Sequence, residues 1–414
     1  MLAFKMKKPQ QEMGLERLLQ GKIDDAKWGA SGRDLIAKLD GMRGRMKEAS
    51  QSYSEKGAEE CREVFGRYQA LAYKANFVCE GVDLKPLPFK WADAFDTSEV
   101  SSISDWNFER ACVIFNLAAA ISYLATHCDR GTAEGLKTAC QLYQQSAGAL
   151  HEVHELVKAG AWSATADLAS DTIQALESLM LAQAQKCFFE KAEGDGMKHK
   201  VLAMLSAECA ALYGEVSLRI DEAKSRSRPI SAMTAEWLDV VQWNKFLFEG
   251  LQAYYAAQTN VDAAEYGIAL SRYTYATDQC ARAVNACKQA SPALQEVFQK
   301  WYAICKEAHT KMKKDNDNIY YEKVPDYKTL DPPERKCMVK PNPPVELGNL
   351  EDPVPLMGSL SVSEPPPPPF AAAEAAGVEQ LVAMGFAKDK AEEALKKSGG
   401  SVQVAADLLV QQGI

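Results

Sequence analysis

Apolar residues along most of this chain recur at intervals of three and four positions, the spacing of one face of an α-helix. Glycine and proline fall mainly between these stretches, as in "EGDG" at 193–196. The many small residues suit antiparallel helical hairpins packed closely into a solenoid, although no strict repeat period supports a consensus tetratricopeptide array. The predicted helices cover residues 107–127, 133–158, 163–191, 197–224, 235–257, 261–288 and 292–314.

Two regions of the chain depart from this helical pattern. The first 90 residues are mixed, and "LKPLPFKWADAFD" at 84–96 is predicted to be a loop that carries an aromatic plug. Residues 338–370 are rich in proline and serine and lack periodicity, which is typical of a linker. The pattern therefore predicts a helical body over 1–337, a linker over 338–370 and a separate small unit over 371–414.

Composition narrows the class of protein. The chain has 414 residues, of which 47% are hydrophobic, so it can bury a large core. Its net charge of −9 argues against a nucleic-acid partner, because such proteins need excess positive charge to neutralise phosphates. The N-terminus lacks the apolar stretch of a signal peptide, and the apolar run at 111–125 is shorter than a spanning helix. We therefore expect a soluble, cytoplasmic protein.

The cysteines point to a reducing compartment. There are 11 of them, and no two have the CxxC spacing of a zinc site or a redox motif. Most lie within apolar helical patterns, such as Cys112 in "RACVIFNL". We expect reduced thiols in the core, and neither a disulfide framework nor a metal site.

Signatures of catalysis are poor. "HEVHE" at 151–155 has its histidines three positions apart, whereas the zinc motif HExxH needs four, so a solvated helix face is the better interpretation. The sequence contains no phosphate-binding loop, no GxSxG and no GxGxxG after a strand. We expect no enzymatic activity and no cofactor.

The last 44 residues resemble a ubiquitin-associated (UBA) domain. "VEQLVAMGF" predicts a helix that ends in an exposed Met-Gly-Phe loop, and Gly399-Gly400 with Ser401 separates two further helices. In that family this loop and the end of the third helix bind the apolar patch of ubiquitin. The alternative is a structural three-helix cap whose loop fills its own core. The resemblance implies that the ubiquitin-binding residues are Met384, Gly385, Phe386, Leu409 and Val410.

The helical body resembles the Bro domain of Alix-type ESCRT adaptors. Three separated blocks carry the resemblance in the right order: "FKWADAFD" with "FERACVIFNLAAAISYLA", "LMLAQAQKCFFEKA" with "MKHKVLAML", and "KKDNDNIYYEKVPDYKTLDP". The resemblance implies a mainly α fold, a boomerang-shaped solenoid of tetratricopeptide-like hairpins braced by a small β-sheet. The small C-terminal unit adds a three-helix UBA bundle.

The same resemblance implies a docking surface for the C-terminal amphipathic helix of an ESCRT-III filament subunit. The family's key positions fall on Phe188, Val201 and Leu205, where Val201 replaces the usual isoleucine. Phe189 is left for the core. Without the resemblance, ordinary core packing would be the better interpretation of all these residues. In the helix predicted over 197–224, three further residues lie on another face that suits the core: Leu202, Cys209 and Leu212.

Two further features have competing interpretations. The resemblance places a possible phosphorylation site at Tyr320, but packing of its ring against the solenoid is at least as good an interpretation. The pentaproline at 365–369 fits a stiff spacer better than a ligand for a proline-binding domain, because no arginine or lysine flanks it.

Together these features predict an adaptor that reaches the endosomal membrane through its partners. Its body would bind ESCRT-III subunits, and its UBA domain would bind ubiquitin or ubiquitinated proteins during multivesicular body sorting. One alternative is a Bro-domain signalling scaffold of a pH-response or small-GTPase pathway. The other is an enzyme acting on ubiquitin, which the missing Cys–His signature disfavours.

Overall fold

The computed structural model describes residues 1–10, 14–50, 55–85, 87–225, 235–348, 378 and 388–397. They belong to two compact units, Met1–Pro353 and Val354–Ile414. The first unit is the helical body, to which the following paragraphs refer.

The body is a succession of helices in which each one from α2 to α10 packs against the next along the chain. This is the arrangement of a hairpin solenoid, and it confirms the mainly α fold. The predicted boundaries agree within about five residues, except that α6 begins seven residues later than expected. The helices are α1 Leu15–Leu19, α2 Gly29–Ala49, α3 Glu55–Val78, α4 Trp106–His127, α5 Ala133–Ala159, α6 Ser170–Gly194, α7 His199–Ser225, α8 Ala235–Asp262, α9 Tyr266–Ala286 and α10 Pro292–Asp315.

The first 80 residues are more helical than their sequence suggested. Long helices α2 and α3 occupy the region that we expected to be mixed. Glycines 32, 41 and 44 lie inside α2, and each lowers the intrinsic helix propensity by about 1 kcal/mol relative to alanine. Packing against α3 stabilises α2 despite these residues, which a propensity argument does not include.

A small three-stranded antiparallel sheet braces the body, in the order β1 Lys8–Pro9, β2 Phe89–Ala92, β3 Val100–Ile103. The prediction that 84–96 is a loop is therefore wrong for β2, which is the central strand. Alternation places Phe89 and Trp91 on the buried side, and the rings of Phe89 and Trp106 lie 4.9 Å apart. The aromatic plug does exist, but a strand presents it.

Helix α4 is the central core helix. By length and apolar composition it could cross a membrane, but 94% of its most apolar window is buried inside the body. Of the described residues, the segment His199–Glu222 of α7 passes the same test with half of its window buried. The expectation that no segment is apolar enough was thus too strict, and for α4 the apolar composition is explained by burial.

Two buried ion pairs join elements that are distant in sequence. Lys7 pairs with Asp167, and both side chains are fully buried. Asp167 also accepts hydrogen bonds from the backbone N–H of Ala94 at 2.8 Å and the hydroxyl of Thr165 at 2.5 Å. These contacts fix residues 161–169 as a loop, which explains the late start of α6.

The second buried pair joins Arg43 of α2 to Glu109 of α4. Glu109 accepts further hydrogen bonds from the indole N–H of Trp91 at 2.6 Å and the hydroxyl of Tyr68 at 2.7 Å. These bonds satisfy a carboxylate that would otherwise be costly to bury. Through these contacts Glu109 connects α4 to α2, to α3 and to strand β2 of the sheet.

Residues 331–348 form an extended segment that crosses the helices of the body, and we refer to it as the strap. At its start the carbonyl of Asp331 accepts a hydrogen bond from Arg272 of α9 at 2.8 Å. At its end Glu346 pairs with Arg62 of α3 at 2.5 Å, and its carbonyl accepts from Gln69 at 2.6 Å. Residues 338–348, which composition assigned to the linker, are therefore part of the folded body.

Replacing Gly148 with alanine is expected to destabilise the chain by about 1–3 kcal/mol, because the new Cβ would meet the carbonyl of strap residue Asn342. Urea unfolding measures the change. Gly44→Ala is the matched control: nothing lies within 4 Å of its added Cβ, so stability should stay unchanged or rise. Equal stability of the two variants would show that the strap does not pack closely on α5.

The cysteines and histidines are placed mostly as expected. Nine cysteines are buried, Cys128 is partly buried, Cys337 is exposed, and all eleven are free thiols. His151 is exposed, but His154 is buried and bonds the hydroxyl of Ser170 at 2.7 Å, so only half of "HEVHE" is a solvated face. Among the described residues, no cluster of three or more His, Cys, Asp or Glu side chains could hold a metal.

Candidate functional site

The turn between α6 and α7 is a Schellman motif, which ends a helix with a residue in the left-handed region. Gly196 takes that role with φ of 68°. The N–H of Met197 donates to the carbonyl of Ala192 at 3.1 Å, and the N–H of Gly196 donates to that of Glu193 at 3.0 Å. Helix α7 therefore returns along α6.

The two adjacent phenylalanines near the end of α6 have different environments. Phe189 is 3% exposed, and its ring makes edge contacts with those of Phe248 at 5.4 Å and Tyr255 at 6.0 Å. Phe188 is partly exposed and packs only at the margin of the core. Phe189 therefore belongs to the core, as predicted, and Phe188 lies at its margin; the docking role of Phe188 stays a prediction.

The predicted partners of Phe188 on α7 are not equally accessible. Val201 is partly exposed, at the margin of the same core. Leu205 is 1% exposed and belongs to the core. Leu202 and Cys209 are buried as expected. Two of the three predicted docking residues thus reach the surface. The prediction that Leu205 is an accessible docking residue is wrong, because the neighbouring elements bury it in the core.

A polar contact identifies the face of α7 that meets α6. Arg219 donates to the side-chain carbonyl of Gln174 at 2.6 Å. Residues seven positions apart lie on one face of a helix, so Leu212 and Leu205 share the face of Arg219, while Leu181 and Phe188 share that of Gln174. We call this seam the α6–α7 groove. Its partly exposed lining consists of Leu181, Phe188, Val201 and Leu212, and Leu205 is buried beneath the surface.

Two of these lining residues were not recognised from the sequence. Leu181 and Leu212 are partly exposed, whereas we had assigned Leu212 to a core face and had not singled out Leu181. The seven-residue spacing from Phe188 to Leu181 could have found the first. The same spacing from Leu205 to Leu212 could have found the second, because residues seven positions apart lie on one face of a helix.

The strap crosses this groove and is held there by a buried glutamine. Gln185 of α6 donates to the carbonyl of Lys336 and accepts from the N–H of Met338, both at 3.0 Å. On the α7 side the N–H of Lys336 donates to the carbonyl of Met204 at 3.2 Å. Gln185 lies between Leu181 and Phe188 along α6, so the strap passes between the two halves of the groove.

Charges near the groove are distributed unevenly. Lys186 is turned inward, where it donates to Asn244 at 2.8 Å, and burial lowers the pKa of its ammonium group. Burial also raises the pKa of the neighbouring Cys187 thiol to about 12, which keeps it protonated. The exposed basic side chains instead lie around the groove: Lys198, Lys200, Arg335, Lys336 and Lys340.

Tyr320 ends the π-helical turn Asn316–Tyr320 that follows α10. Its ring stacks on Tyr266 with centroids 3.6 Å apart, and a hydrogen bond with Tyr266 raises the pKa of its hydroxyl. The side chain keeps 37% of its exposure. The ring does pack against the solenoid, and phosphorylation of Tyr320 stays a prediction.

In the second unit the structure describes Val378 and helix α11, Lys388–Lys397. This helix coincides with the predicted second UBA helix and buries Ala391, Ala394 and Leu395. The five predicted ubiquitin-binding residues lie outside the described residues: Met384, Gly385, Phe386, Leu409 and Val410.

Comparison with protein families gives two matches. The model of the BRO1-like domain matches residues 1–361, which includes the strap. The model of the UBA/TS-N domain matches residues 374–409.

Curated relatives and solved structures match the same body. ALG-2 interacting protein X of Dictyostelium discoideum is 28% identical over 80% of this chain and 40% of its own length. Vacuolar protein-sorting protein bro-1 of Neurospora crassa is 30% identical over 75% of this chain and 31% of its own length. The chain thus spans two-fifths or less of these relatives. A solved ALIX BRO1 CHMP4C complex matches with a TM-score of 0.73 and 24% identity, covering 85% of this chain and 98% of that one.

Proposed function

The chain belongs to the BRO1-like domain family and carries a C-terminal UBA domain, and from that premise we propose that it is an adaptor. Its body binds the C-terminal amphipathic helix of an ESCRT-III filament subunit, and its UBA domain binds ubiquitin. It acts without catalysis in the cytoplasm and reaches endosomes through these partners during multivesicular body sorting.

The observation that carries the first half of this proposal is the α6–α7 groove. Phe188 and Val201 are apolar and partly exposed, and they lie on two helices that pack together, whereas Leu205 is buried. A shallow apolar seam of this kind suits the apolar face of a single helix, which presents residues at i, i+3 and i+4. The complex of a related BRO1 domain with CHMP4C supports the choice of partner.

The second half of the proposal rests on the UBA domain and its loop. The resemblance to UBA domains assigns ubiquitin binding to Met384, Gly385, Phe386, Leu409 and Val410, and the UBA/TS-N match over residues 374–409 supports that assignment. Residues 349–370 connect this domain to the end of the strap and are rich in proline. Two modest sites on one tether raise the effective concentration of each partner for the other.

Replacing Phe386 with alanine is expected to lower the affinity of the full chain for ubiquitin at least tenfold, because it removes an apolar anchor of the loop. Titration of labelled ubiquitin, followed by fluorescence anisotropy, measures the change. The same variant should bind the ESCRT-III helix as the unmodified chain does. Unchanged ubiquitin affinity would refute the assignment of the loop.

The absence of catalysis has a direct test. Ubiquitin chains incubated with the full-length protein should keep their length distribution on a denaturing gel after a day. Cleavage that persists in protein from a second purification would overturn the adaptor proposal in favour of an enzyme acting on ubiquitin.

A further inference from the structure

We propose that strap residues 335–340 close one end of the half of the docking groove that contains Phe188 and Val201, and select helices whose polar face is acidic. This inference rests on the proposed function and extends it from an apolar seam to a recognition surface with a charge preference. It concerns a segment that the sequence assigned partly to a linker.

Hydrogen bonds and a buried side chain fix the strap to the helices of the groove. The side-chain N–H of Gln185 donates to the carbonyl of Lys336, and its side-chain carbonyl accepts from the N–H of Met338. Farther along, Gln144 of α5 accepts the N–H of Lys340 at 3.1 Å with its side chain. Val339, between these two anchor points, is 8% exposed and belongs to the core. A peptide in the groove therefore meets a rigid edge.

The strap lies close to the predicted docking residues. Gln185 is one helical turn from Phe188 on α6, and Met204 precedes Leu205 on α7. The strap bonds to both Gln185 and Met204, so it borders the half of the groove that contains Phe188 and Val201. A helix seated on that half lies beside the strap.

Strap residues 335–340 expose basic side chains to solvent. Their sequence is "RKCMVK", with three basic residues and no acidic one. Arg335, Lys336 and Lys340 are exposed, and Met338 keeps 39% of its exposure. Lys198 and Lys200 add positive charge at the start of α7. Acidic side chains lie nearby as well: Glu334 directly precedes Arg335, and Glu193 and Asp195 are exposed at the end of α6 and in the turn before α7. Glu208 lies 3.9 Å from Arg335, with its side chain 12% exposed.

These charges identify the chemistry of the partner. An amphipathic helix whose apolar face fills this half of the seam has one end beside the strap and the other beside the start of α7. Carboxylates near those ends would be attracted by lysine and arginine side chains, and the attraction would weaken as salt rises. A helix without acidic residues there would gain only the apolar contacts.

The test compares two synthetic peptides with the full chain. One is the C-terminal helix of an ESCRT-III filament subunit, and the other is the same helix with its Asp and Glu residues replaced by Asn and Gln. The double variant Lys336→Glu, Lys340→Glu is expected to bind the acidic peptide about five- to tenfold more weakly at low salt. Its affinity for the amide peptide should not fall, and the difference should shrink as salt rises.

Lys22→Glu with Lys85→Glu is the matched control, because it changes the net charge equally at exposed positions outside the groove and the strap. It should bind both peptides as the unmodified chain does. Equal weakening by the control pair, or no effect of the strap pair where Val201→Asp abolishes binding, would overturn the strap proposal alone. No binding of either peptide by the unmodified chain would overturn the proposed function as well.

A second variant tests the role of Gln185 as a positioning residue. Gln185→Leu removes both hydrogen bonds to the strap and places an apolar side chain of similar size at this position of α6. It should speed amide hydrogen exchange at Met338 and remove most of the salt-dependent part of the affinity. Retention of the full salt dependence, with exchange at Met338 accelerated, would show that a fixed strap is not needed for charge selection.

Discussion

Val201→Asp is expected to lower the affinity for the ESCRT-III helix by about ten- to a hundredfold while the chain stays folded. Binding would cover the new carboxylate with an apolar helix face, and burying a poorly paired polar group costs on the order of 1–3 kcal/mol. In the free chain Val201 is partly exposed, so the carboxylate remains in water. It is also the third residue of α7, where the helix dipole favours negative charge.

The measurement is a titration of the labelled helix into the full chain, with circular dichroism to verify folding. Leu218→Asp is the control: it makes the same change on α7 at a side chain that is 58% exposed and lies on a different face. Leu205→Asp is unsuitable, because Leu205 is 1% exposed and a buried charge would unfold the site. Equal affinity of Val201→Asp and the unmodified chain would remove the groove from the proposed function.

Lys7→Met is expected to destabilise the body by about 3–5 kcal/mol, because it leaves Asp167 buried without its cation. The effect is large because the pair joins the N-terminal segment to the loop before α6. Two hydrogen bonds from Ala94 and Thr165 remain to Asp167, but they do not supply a compensating charge.

Urea unfolding followed by circular dichroism measures this loss as a lower transition midpoint. The neighbouring Lys8→Met is the control, since Lys8 is exposed and its replacement should change stability by less than about 0.5 kcal/mol. Similar midpoints for the two variants would show that the Lys7–Asp167 pair is energetically unimportant.

The parts of the fold that the sequence predicted are those that rest on local periodicity. Helices α4 to α10 carry apolar residues at helical spacing, and their positions followed from it. Helix α2 was obscured by its internal glycines, since its stability depends on α3. Strand β2 was taken for a loop because four residues are too few to show a period, and its pairing partners lie far away in sequence.

For the candidate site, the sequence and the family resemblance predicted docking residues but not how deeply each of them is buried. A helix periodicity states that Phe188 and Phe189 point in different directions, and the family resemblance states which one docks. Neither could show that Leu205 is covered, because that depends on neighbouring elements across the chain. The sequence did not predict the strap for the same reason. Its segment "PPERKCMVKPNPP" has the composition of a linker, and the residues that anchor it, Gln144 and Gln185, lie more than 150 residues upstream.

The central claim is that an ESCRT-III helix lies in the α6–α7 groove beside the strap. Hydrogen–deuterium exchange of the full chain, with and without the ESCRT-III helix peptide, tests it most directly. We expect slower exchange in segments covering 185–205 and 335–340 when the peptide is bound, and no slowing there in Val201→Asp. Bound peptide that leaves both segments unchanged, or that protects only other parts of the body, would contradict it.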